Sequence, residues 1–304
     1  MSGASRTDRY GLIGYPVSHS LSPDIFRAAF ETVRMDAVYD LFPVHPDRLA
    51  EGLDELLEKG VRGLNVTVPH KTAVIPMMAD LGESARLTGA VNAIEVTDGG
   101  MVGHNTDIGG FEDSLLPLGI PDLPGARVMV LGAGGAARAV VVSLARSGVS
   151  EIIVANRFIE EAMGLVTPMS QSYPDVRFKT ISLVEGEVEK NAPGTVLCVQ
   201  ATPLGLNAGD PLPVDPAVFP RGCFLYDLVY GPEGTPWVRS ALGSGFRAAD
   251  GKEMLLRQAA RSFVLWMGRE APLKNMRSAL NAGIGPANGS RGRGGERLEG
   301  PDGS

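Results

Sequence analysis

The chain has 304 residues, more than one hydrophobic core usually serves, so its length predicts two domains. Apolar residues make up 44% of the chain and charged residues 21%, which is the composition of an ordinary globular protein. The formal net charge of −7 disfavours a nucleic-acid-binding protein, which needs a basic surface, but it leaves room for a small anionic ligand held by a local field.

The cysteines and the apolar runs indicate the cellular compartment of the protein. Cys198 and Cys223 both lie in apolar runs, so we expect buried free thiols and neither a disulfide nor a metal site. The first ten residues lack the apolar core of a signal peptide, and no later stretch is long and apolar enough to span a membrane. These features favour a cytoplasmic protein that binds small molecules, with no nucleic-acid or membrane partner.

The first part of the chain alternates strands and helices, an order that predicts a small α/β domain. In chain order the predicted elements are a strand at 10–14, a helix that opens at 20–23, a strand at 37–44, a helix at 46–59 and a strand that ends at Pro69. Ser22 fits the N-cap of the first helix, Pro23 fits its first turn, and Gly60 ends the second helix.

A linker-like stretch with two prolines and two glycines, 118–125, precedes a second α/β unit. The elements predicted there are strands at 127–131, 151–155, 195–199 and 223–228, a helix at 137–147 and an amphipathic helix at 253–268. We expect the four strands to form one parallel sheet. From about residue 283 the chain is rich in Gly, Arg and Ser and nearly lacks apolar residues, so we expect a disordered tail.

A glycine-rich turn lies between the first strand and the first helix of this second unit. Its sequence, LGAGGAA, fits the G-x-G-x-x-G/A pattern of dinucleotide-binding turns. Gly132 permits the tight turn, Gly134 lets the backbone approach a pyrophosphate, and Ala137 allows close packing of the helix on the strand. The N-terminus of the helix offers free N–H groups to phosphates. A plain structural turn is the alternative, and the flanking strands favour the dinucleotide.

The end of the second strand indicates which dinucleotide is bound. NAD enzymes usually place an acidic residue there for the ribose 2′-hydroxyl, whereas this chain has Asn156 and Arg157. An arginine can hold a 2′-phosphate by charge-assisted hydrogen bonds, which predicts NADP. Glu160 and Glu161 follow and would repel a phosphate if they faced it, so NAD stays possible. The alternative for Arg157 is a solvated arginine after a strand.

Polar residues outside the nucleotide fold form four clusters, each at the end of an apolar segment where side chains could converge on a small ligand. The clusters are Ser20 with Ser22, Asn65 with Thr67 and Lys71, Asn92 alone, and Asn105 with Asp107. Each has a simpler interpretation, as a helix cap, a solvated lysine or a turn residue. Their number favours a ligand site for the set.

The chain resembles the shikimate dehydrogenase family over residues 9–283. The matching segments, in family order, are SHSLSP (18–23), NVTVPHK (65–71), GAVNAI (89–94), NTD (105–107), GAGGAAR (132–138), ATPLG (201–205), YDLVY (226–230) and ADGKEMLLRQAARSF (249–263). The resemblance implies a two-domain α/β protein with a substrate domain and a Rossmann-like doubly wound domain. The implied boundaries are 1–107 for the substrate-binding catalytic domain, 108–249 for the NADP-binding domain, 250–283 for helices that return to the first domain, and 284–304 for a disordered tail.

The family resemblance also implies an activity, the reversible NADP-dependent reduction of 3-dehydroshikimate to shikimate in aromatic amino-acid biosynthesis, by a monomer or a homodimer. Two alternatives stay open. One is a paralogue that acts on quinate as well as shikimate, using NAD. The other is a catalytically silent ligand-binding protein with the same fold.

The resemblance assigns roles residue by residue. Lys71 and Asp107 form the implied catalytic pair, and either of them could move the proton that accompanies hydride transfer. The implied substrate-binding residues are Ser20, Ser22, Asn65, Thr67, Asn92, Asp107, Tyr230 and Gln258. The implied cofactor-binding residues are Gly132, Ala133, Gly134, Gly135, Ala136, Asn156, Arg157, Thr202, Leu228 and Gly251.

The chain departs from the family pattern at three positions. Members that use NADP often follow the Asn-Arg pair with Thr and a second basic residue, where this chain has Phe158 and Glu161. The common Asn before Ala-Thr is Gln200 here. The first two departures bear on the choice between NADP and NAD.

Overall fold

The computed structural model describes residues 7–120, 122–207 and 209–283, so the predicted tail at 284–304 lies outside the described residues. The strands form two six-stranded sheets, which confirms the α/β class. Among the described residues, no helix combines the length and the apolar character needed to cross a membrane.

The first sheet combines parallel strands with an antiparallel hairpin. Its strands are β1 (Asp8–Gly14), β2 (Ala37–Pro43), β3 (Val61–Val66), β4 (Asp80–Leu81), β5 (Ala93–Thr97) and β6 (Gly100–His104), in the order β2-β1-β3-β5-β6-β4. Its helices are α1 (Ser22–Thr32), α2 (Leu49–Glu58) and α3 (Glu83–Thr88). Since β1 pairs in parallel with β2 and β3, the carboxyl ends of these three strands share one edge, and the segments that follow β1 and β3 meet there.

The second sheet is entirely parallel and doubly wound. Its strands are β7 (Arg127–Leu131), β8 (Glu151–Asn156), β9 (Arg177–Ser182), β10 (Thr195–Gln200), β11 (Phe224–Asp227) and β12 (Arg247–Ala249), in the order β12-β11-β10-β7-β8-β9. Helices α5 (Gly135–Arg146), α6 (Ile159–Ser172), α7 (Glu185–Asn191) and α8 (Pro236–Gly243) lie between its strands in the chain. The strand order reverses between β7 and β10, and such a point is where doubly wound sheets bind ligands.

Three further helices complete the fold. They are α4 (Asp107–Leu115), α9 (Lys252–Met267) and α10 (Leu273–Gly283). Helix α4 packs against both α5 and α9, and α10 packs against α1. Phe263 of α9 shares a buried cluster with Phe26 and Phe30 of α1, and the Trp266 ring stacks on Tyr10 of β1 at a centroid distance of 5.2 Å. Helices α9 and α10 therefore pack against the first sheet and its helix α1.

Local details differ from the sequence-based predictions at two helix starts. Leu21 is the N-cap of α1 and Ser22 is already helical, so the prediction that Ser22 caps this helix is wrong. The Leu21 carbonyl accepts the first helical hydrogen bond, and the Ser22 N–H donates to Ser20 Oγ at 3.2 Å. The helix predicted at 46–59 divides into a 3₁₀ turn, Pro46–Arg48, and α2.

The two cysteines behave as predicted. Cys198 and Cys223 are free and buried in the core of the second sheet. Burial raises the pKa of the Cys223 thiol to about 12, so the thiol stays protonated at neutral pH.

Candidate active site

A largely buried ion pair lies beside the edge of the first sheet. Lys71, which follows β3, places Nζ 2.6 Å from Oδ2 of Asp107, the first residue of α4. The two side chains are only 15% and 6% exposed, so solvent screens the pair weakly. The other carboxylate oxygen, Oδ1, accepts a hydrogen bond of 2.7 Å from Asn92 Nδ2. The carboxylate is therefore held on both oxygens.

Asn92 and Asn105 shape the backbone around this pair. Asn92 Oδ1 accepts the Thr106 N–H at 2.6 Å, and Asn105 Oδ1 accepts the Asp107 N–H at 3.0 Å. Asn105 Nδ2 donates to the Ala90 carbonyl at 2.9 Å. Asn105 thus serves the turn before α4, whereas Asn92 also contacts the catalytic candidate Asp107 directly.

A second hydrogen-bond network surrounds Asn65. Its Oδ1 accepts the Tyr39 hydroxyl at 2.8 Å, and its Nδ2 donates to Ser262 Oγ at 2.9 Å. Ser262, on α9, also lies 3.1 Å from Thr106 Oγ. Tyr39 and Ser262 were missed in the sequence analysis. Each is a polar residue on an otherwise apolar face, β2 for Tyr39 and α9 for Ser262, and that mismatch is the signal that could have found them.

The two serines near the start of α1 face two tyrosines. Burial raises the pKa of Tyr39 well above its usual range, and a hydrogen bond with the Ser22 side chain partly offsets this. Burial likewise raises the pKa of Tyr230, while hydrogen bonds with the Leu21 backbone and the Ser20 side chain lower it. Ser20 Oγ and Ser22 Oγ lie 3.2 Å apart. The structure therefore brings Ser20, Ser22 and Tyr230 together, with Tyr39 linking them to Asn65.

The remaining polar residues of the first domain lie around this group. His70, next to Lys71, is buried and its Nε2 lies 2.7 Å from the Val44 carbonyl, so its ring is engaged in the fold. Thr67 is half-buried after β3. Gln258 lies on α9 one turn before Ser262 and donates to the Leu255 carbonyl at 3.1 Å.

The glycine-rich turn faces Lys71 across a cleft. Gly132 has a φ of +108°, and a Cβ there would lie 3.0 Å from the Ala201 backbone, so glycine is required. A Cβ on Gly134, the N-cap of α5, would meet no atom within 4 Å, which leaves the start of this helix open to a ligand. A Cβ on Gly135 would lie 3.0 Å from the Cβ of Lys71.

The cleft between the two units has a volume of about 420 Å³. Its lining comes from both units: Val68, Pro69, Lys71, Thr72, Ala133, Gly134, Gly135, Ala136, Arg138, Glu161 and Gly164. Glycines and an open helix N-terminus on one side, with a lysine on the other, suit the pyrophosphate of a dinucleotide. The residues present therefore fit a dinucleotide cofactor.

The carboxyl ends of β10 and β11 carry a buried polar network. Asp227 Oδ2 accepts the Thr235 hydroxyl at 2.6 Å, and its Oδ1 accepts the Val229 N–H at 2.9 Å and Gln200 Nε2 at 3.2 Å. Gln200 also accepts the N–H of Thr202. This network fixes the segments that carry Thr202, Leu228 and Tyr230, and it shows what Gln200 does in place of the common Asn.

Gly251, between β12 and α9, packs against the segment that follows β11. A Cβ at this position would fall 2.0 Å from the Leu228 carbonyl oxygen, so no other residue fits without moving the backbone. The Gly251 N–H donates to the Val229 carbonyl at 3.0 Å. The start of α9 is thereby held against the segment after β11.

The end of β8 holds the residues expected to choose the cofactor. Asn156 is buried, and its Nδ2 donates to the Phe158 carbonyl at 2.9 Å and to Glu161 Oε2 at 2.8 Å. Arg157 is exposed, with its guanidinium 4.6 Å from the centre of the Phe158 ring. Among the described residues, no carboxylate lies within salt-bridge distance of Arg157.

A doubly wound parallel sheet with a glycine-rich turn, facing a buried polar pair on a second domain, is the arrangement of a two-domain, dinucleotide-dependent dehydrogenase. Three family models match the chain: "Shikimate dehydrogenase substrate binding domain" over residues 12–94, "Shikimate / quinate 5-dehydrogenase" over 117–188 and "Shikimate 5'-dehydrogenase C-terminal domain" over 251–280. The chain belongs to the shikimate dehydrogenase family, as its eight sequence segments predicted.

Individual relatives agree with the family models along nearly the whole chain. The shikimate dehydrogenase (NADP(+)) of Methanopyrus kandleri is 38% identical over 278 residues, which cover 91% of this chain and 96% of the relative. A crystal structure of shikimate dehydrogenase in complex with NADP+ is 32% identical, with a TM-score of 0.82, and the match covers 93% of this chain and 97% of that one. The Thermus thermophilus enzyme in complex with NADP(H) and shikimate is also 32% identical, with a TM-score of 0.78 over 91% and 99% of the two chains. The two-domain prediction is thus confirmed at the level of the fold.

Proposed function

We propose that the protein catalyses the reversible NADP-dependent reduction of 3-dehydroshikimate to shikimate, a step of aromatic amino-acid biosynthesis. The observation that carries the proposal is the place of the Lys71–Asp107 pair: it is buried, and Lys71 packs against Gly135 of the dinucleotide-type turn. Relatives named as NADP-dependent shikimate dehydrogenases, and a related structure with NADP(H) and shikimate, support the choice of substrate and cofactor.

Within this proposal, the glycine-rich turn would hold NADPH, which would supply the hydride for reduction of the ketone. The Lys71 ammonium faces the ketone oxygen, donates a proton to it and stabilises the negative charge that develops there. Asp107 holds Lys71 Nζ at 2.6 Å and thereby fixes its direction. In the oxidation of shikimate the same groups act in reverse.

The substrate carboxylate fits the start of α1, where Ser20 and Ser22 provide hydroxyl donors near the Tyr230 hydroxyl. We assign the ring hydroxyls to Asn65, Thr67, Asn92, Asp107 and Gln258. Asn65 and Asn92 also bond protein groups with their side chains, and in this way they hold Ser262, Thr106 and Asp107 in place around the substrate.

The cofactor is assigned to the edge of the second sheet at its carboxyl end. Backbone groups from Gly132 to Ala136 hold the pyrophosphate, and Arg157 pairs with the 2′-phosphate. The proposed cofactor contacts also include Asn156, Thr202, Leu228 and Gly251. We expect a monomer or a homodimer, which light scattering after size exclusion would distinguish.

One matrix of assays tests the proposal: shikimate and quinate, each with NADP⁺ and with NAD⁺. The highest kcat/KM should belong to shikimate with NADP⁺. A kcat/KM for quinate equal to or above that for shikimate would contradict the proposal and favour a quinate-directed paralogue. Binding of shikimate without turnover under any of the four conditions would favour a silent ligand-binding protein.

A further inference from the structure

The acidic residue Glu161 occupies a place where a purely NADP-directed site would not put a carboxylate. It lies in the first turn of α6, and together with Gly134, Ala136 and Arg138 it lines the interdomain cleft. Its Oε2 accepts a hydrogen bond of 2.8 Å from Asn156 Nδ2 at the end of β8. The chain therefore presents a carboxylate at the end of the second strand of its doubly wound sheet, although no acidic residue stands at the end of the strand itself.

The hydrogen bonds of Asn156 determine how this carboxylate is held. Asn156 Nδ2 uses both of its hydrogens, one on the Phe158 carbonyl and one on Glu161 Oε2. An amide that donates in two fixed directions orients the carboxylate before any ligand arrives. No hydrogen bond among the described residues reaches the second oxygen, Oε1, so Glu161 keeps an acceptor for a hydroxyl in the cleft.

Arg157, in the short segment between β8 and α6, supplies the opposite charge. Its guanidinium lies over the Phe158 ring and forms no ion pair with a described carboxylate, Glu161 included. An exposed cation thus lies four residues before an oriented carboxylate, and the carboxylate lines the cleft. A 2′-phosphate gains from the arginine and loses from the glutamate, whereas a 2′-hydroxyl can donate to the glutamate and needs no cation.

We propose that Glu161 is a specificity-determining residue that accepts the ribose 2′-hydroxyl of NAD⁺ and opposes the 2′-phosphate of NADP⁺. The enzyme consequently uses both dinucleotides, and Arg157 and Glu161 together set the ratio of its affinities for NADP⁺ and NAD⁺. The inference rests on the proposed function only in taking a dinucleotide as the cofactor. It does not depend on which alcohol is oxidised.

A helix-stabilising role is the competing explanation, because an acidic residue in the first turn of any helix interacts favourably with the helix dipole. Glu160 provides a matched control for that role. It lies in the same first turn of α6 and is also exposed, but it does not line the cleft and no hydrogen bond joins it to Asn156. Removing either charge should affect the helix similarly, so a difference between the two variants reports on the nucleotide.

The test measures nucleotide binding by calorimetry on the full chain, without substrate. The probes are NADP⁺, NAD⁺, adenosine 2′,5′-bisphosphate and adenosine 5′-monophosphate, titrated into wild type, Glu161→Gln and Glu160→Gln. We expect Glu161→Gln to bind NADP⁺ and the 2′,5′-bisphosphate about tenfold more tightly, because the substitution removes one surface charge that repels a doubly charged phosphate. It should weaken the binding of NAD⁺ about three- to tenfold, because a neutral hydrogen bond replaces a charge-assisted one. Glu160→Gln should leave the affinities for all four probes nearly unchanged.

Two further results complete the test. Raising the salt concentration should shrink the gain of Glu161→Gln for the 2′,5′-bisphosphate, because both charges lie at an exposed site. Equal changes in NADP⁺ and NAD⁺ affinity, or no change in either, would overturn the inference and leave Glu161 as a support for the turn. Altered binding ratios in a protein that fails to oxidise shikimate would sustain the inference and count against the proposed function alone.

Discussion

The side-chain amide of Asn92 donates a 2.7 Å hydrogen bond to Oδ1 of Asp107, the carboxylate oxygen that Lys71 does not use. The carboxylate is thus fixed in its plane, and the direction of the Lys71 ammonium follows from it. In the proposed mechanism, the direction of Lys71 therefore depends on the backbone segments after β3, before β5 and before α4, which meet at this carboxylate.

Replacement of Lys71 by alanine removes the group assigned to donate the proton. We expect Lys71→Ala to lower kcat by about 10²- to 10⁴-fold, while shikimate still binds, because the ring and carboxylate contacts remain. Steady-state kinetics and calorimetric titration with shikimate check this. Lys71→Arg keeps the positive charge. Compared with Lys71→Ala, it should recover shikimate affinity more than it recovers kcat. A kcat near that of wild type in Lys71→Ala would remove Lys71 from the chemistry.

Asn92→Ala separates the positioning of Asp107 from the stability of the turn. The variant leaves Asp107 Oδ1 and the Thr106 N–H without their partner, so unfolding free energy should fall by about 1–3 kcal/mol. The control is Asn105→Ala, which also disturbs the turn but leaves the Asn92–Asp107 bond in place. Urea denaturation should show similar losses for both variants, while kcat should fall at least about tenfold further in Asn92→Ala. Equal effects on kcat would assign Asn92 to the fold alone.

Arg157→Ala tests the 2′-phosphate contact. Loss of a charge-assisted hydrogen bond should raise KM for NADP⁺ about 10- to 100-fold and leave KM for NAD⁺ nearly unchanged. The residue is exposed and its guanidinium lies over the Phe158 ring, so the fold should tolerate the change. If both cofactors lost affinity to the same degree, Arg157 would serve the loop and not the phosphate.

Asp227 makes the stability of the protein depend on pH. Burial outweighs its three hydrogen-bond donors and raises the pKa of this carboxyl to about 7. The folded state therefore keeps the proton up to about pH 7, whereas the unfolded chain releases it near pH 4. The stability gained from this proton is present at low pH and is lost as the pH rises from about 4 to about 7, by up to roughly 4 kcal/mol.

Asp227→Asn removes this titration. Relative to wild type, the variant should gain unfolding free energy as the pH is raised from about 5 to about 8, whatever its stability at the lower pH. Urea denaturation at the two pH values measures the change. A difference between variant and wild type that stays constant over this range would show that Asp227 is ionised in the folded state at both.

The sequence predicted best what depends on neighbouring residues. The glycine-rich turn lies between β7 and α5, and its pattern of strand, glycines and helix is entirely local, so it could be located without the fold. The hairpin of β5 and β6 was missed although Asp98-Gly99 between two alternating segments signals one. Helix α6 was missed because it contains Gly164 and Pro168, residues that disfavour a helix interior.

The site was predicted only in part for a different reason. Lys71 and Asp107 came from motifs, but their partners depend on packing between distant segments. Tyr39 and Ser262 reach Asn65 from positions 26 and 197 residues away, and no local pattern announces such contacts. The cap of α1 was misplaced because the prediction relied on the type of side chain at Ser22, while the turn formed by Ser20 and Leu21 starts the helix one residue earlier.

The hydrogen bond between Asn65 and Ser262 has a consequence for synthesis on the ribosome. At about 5–20 residues per second, the 197 residues between them take roughly 10–40 s to translate. During that interval the emerging first sheet lacks α9 and α10, and the aromatic side chains of Phe26, Phe30 and Tyr10 have no cover from Phe263 and Trp266. The nascent chain therefore carries an incomplete first domain with uncovered aromatic side chains while the second sheet is synthesised. Protection by chaperones matters most during this interval.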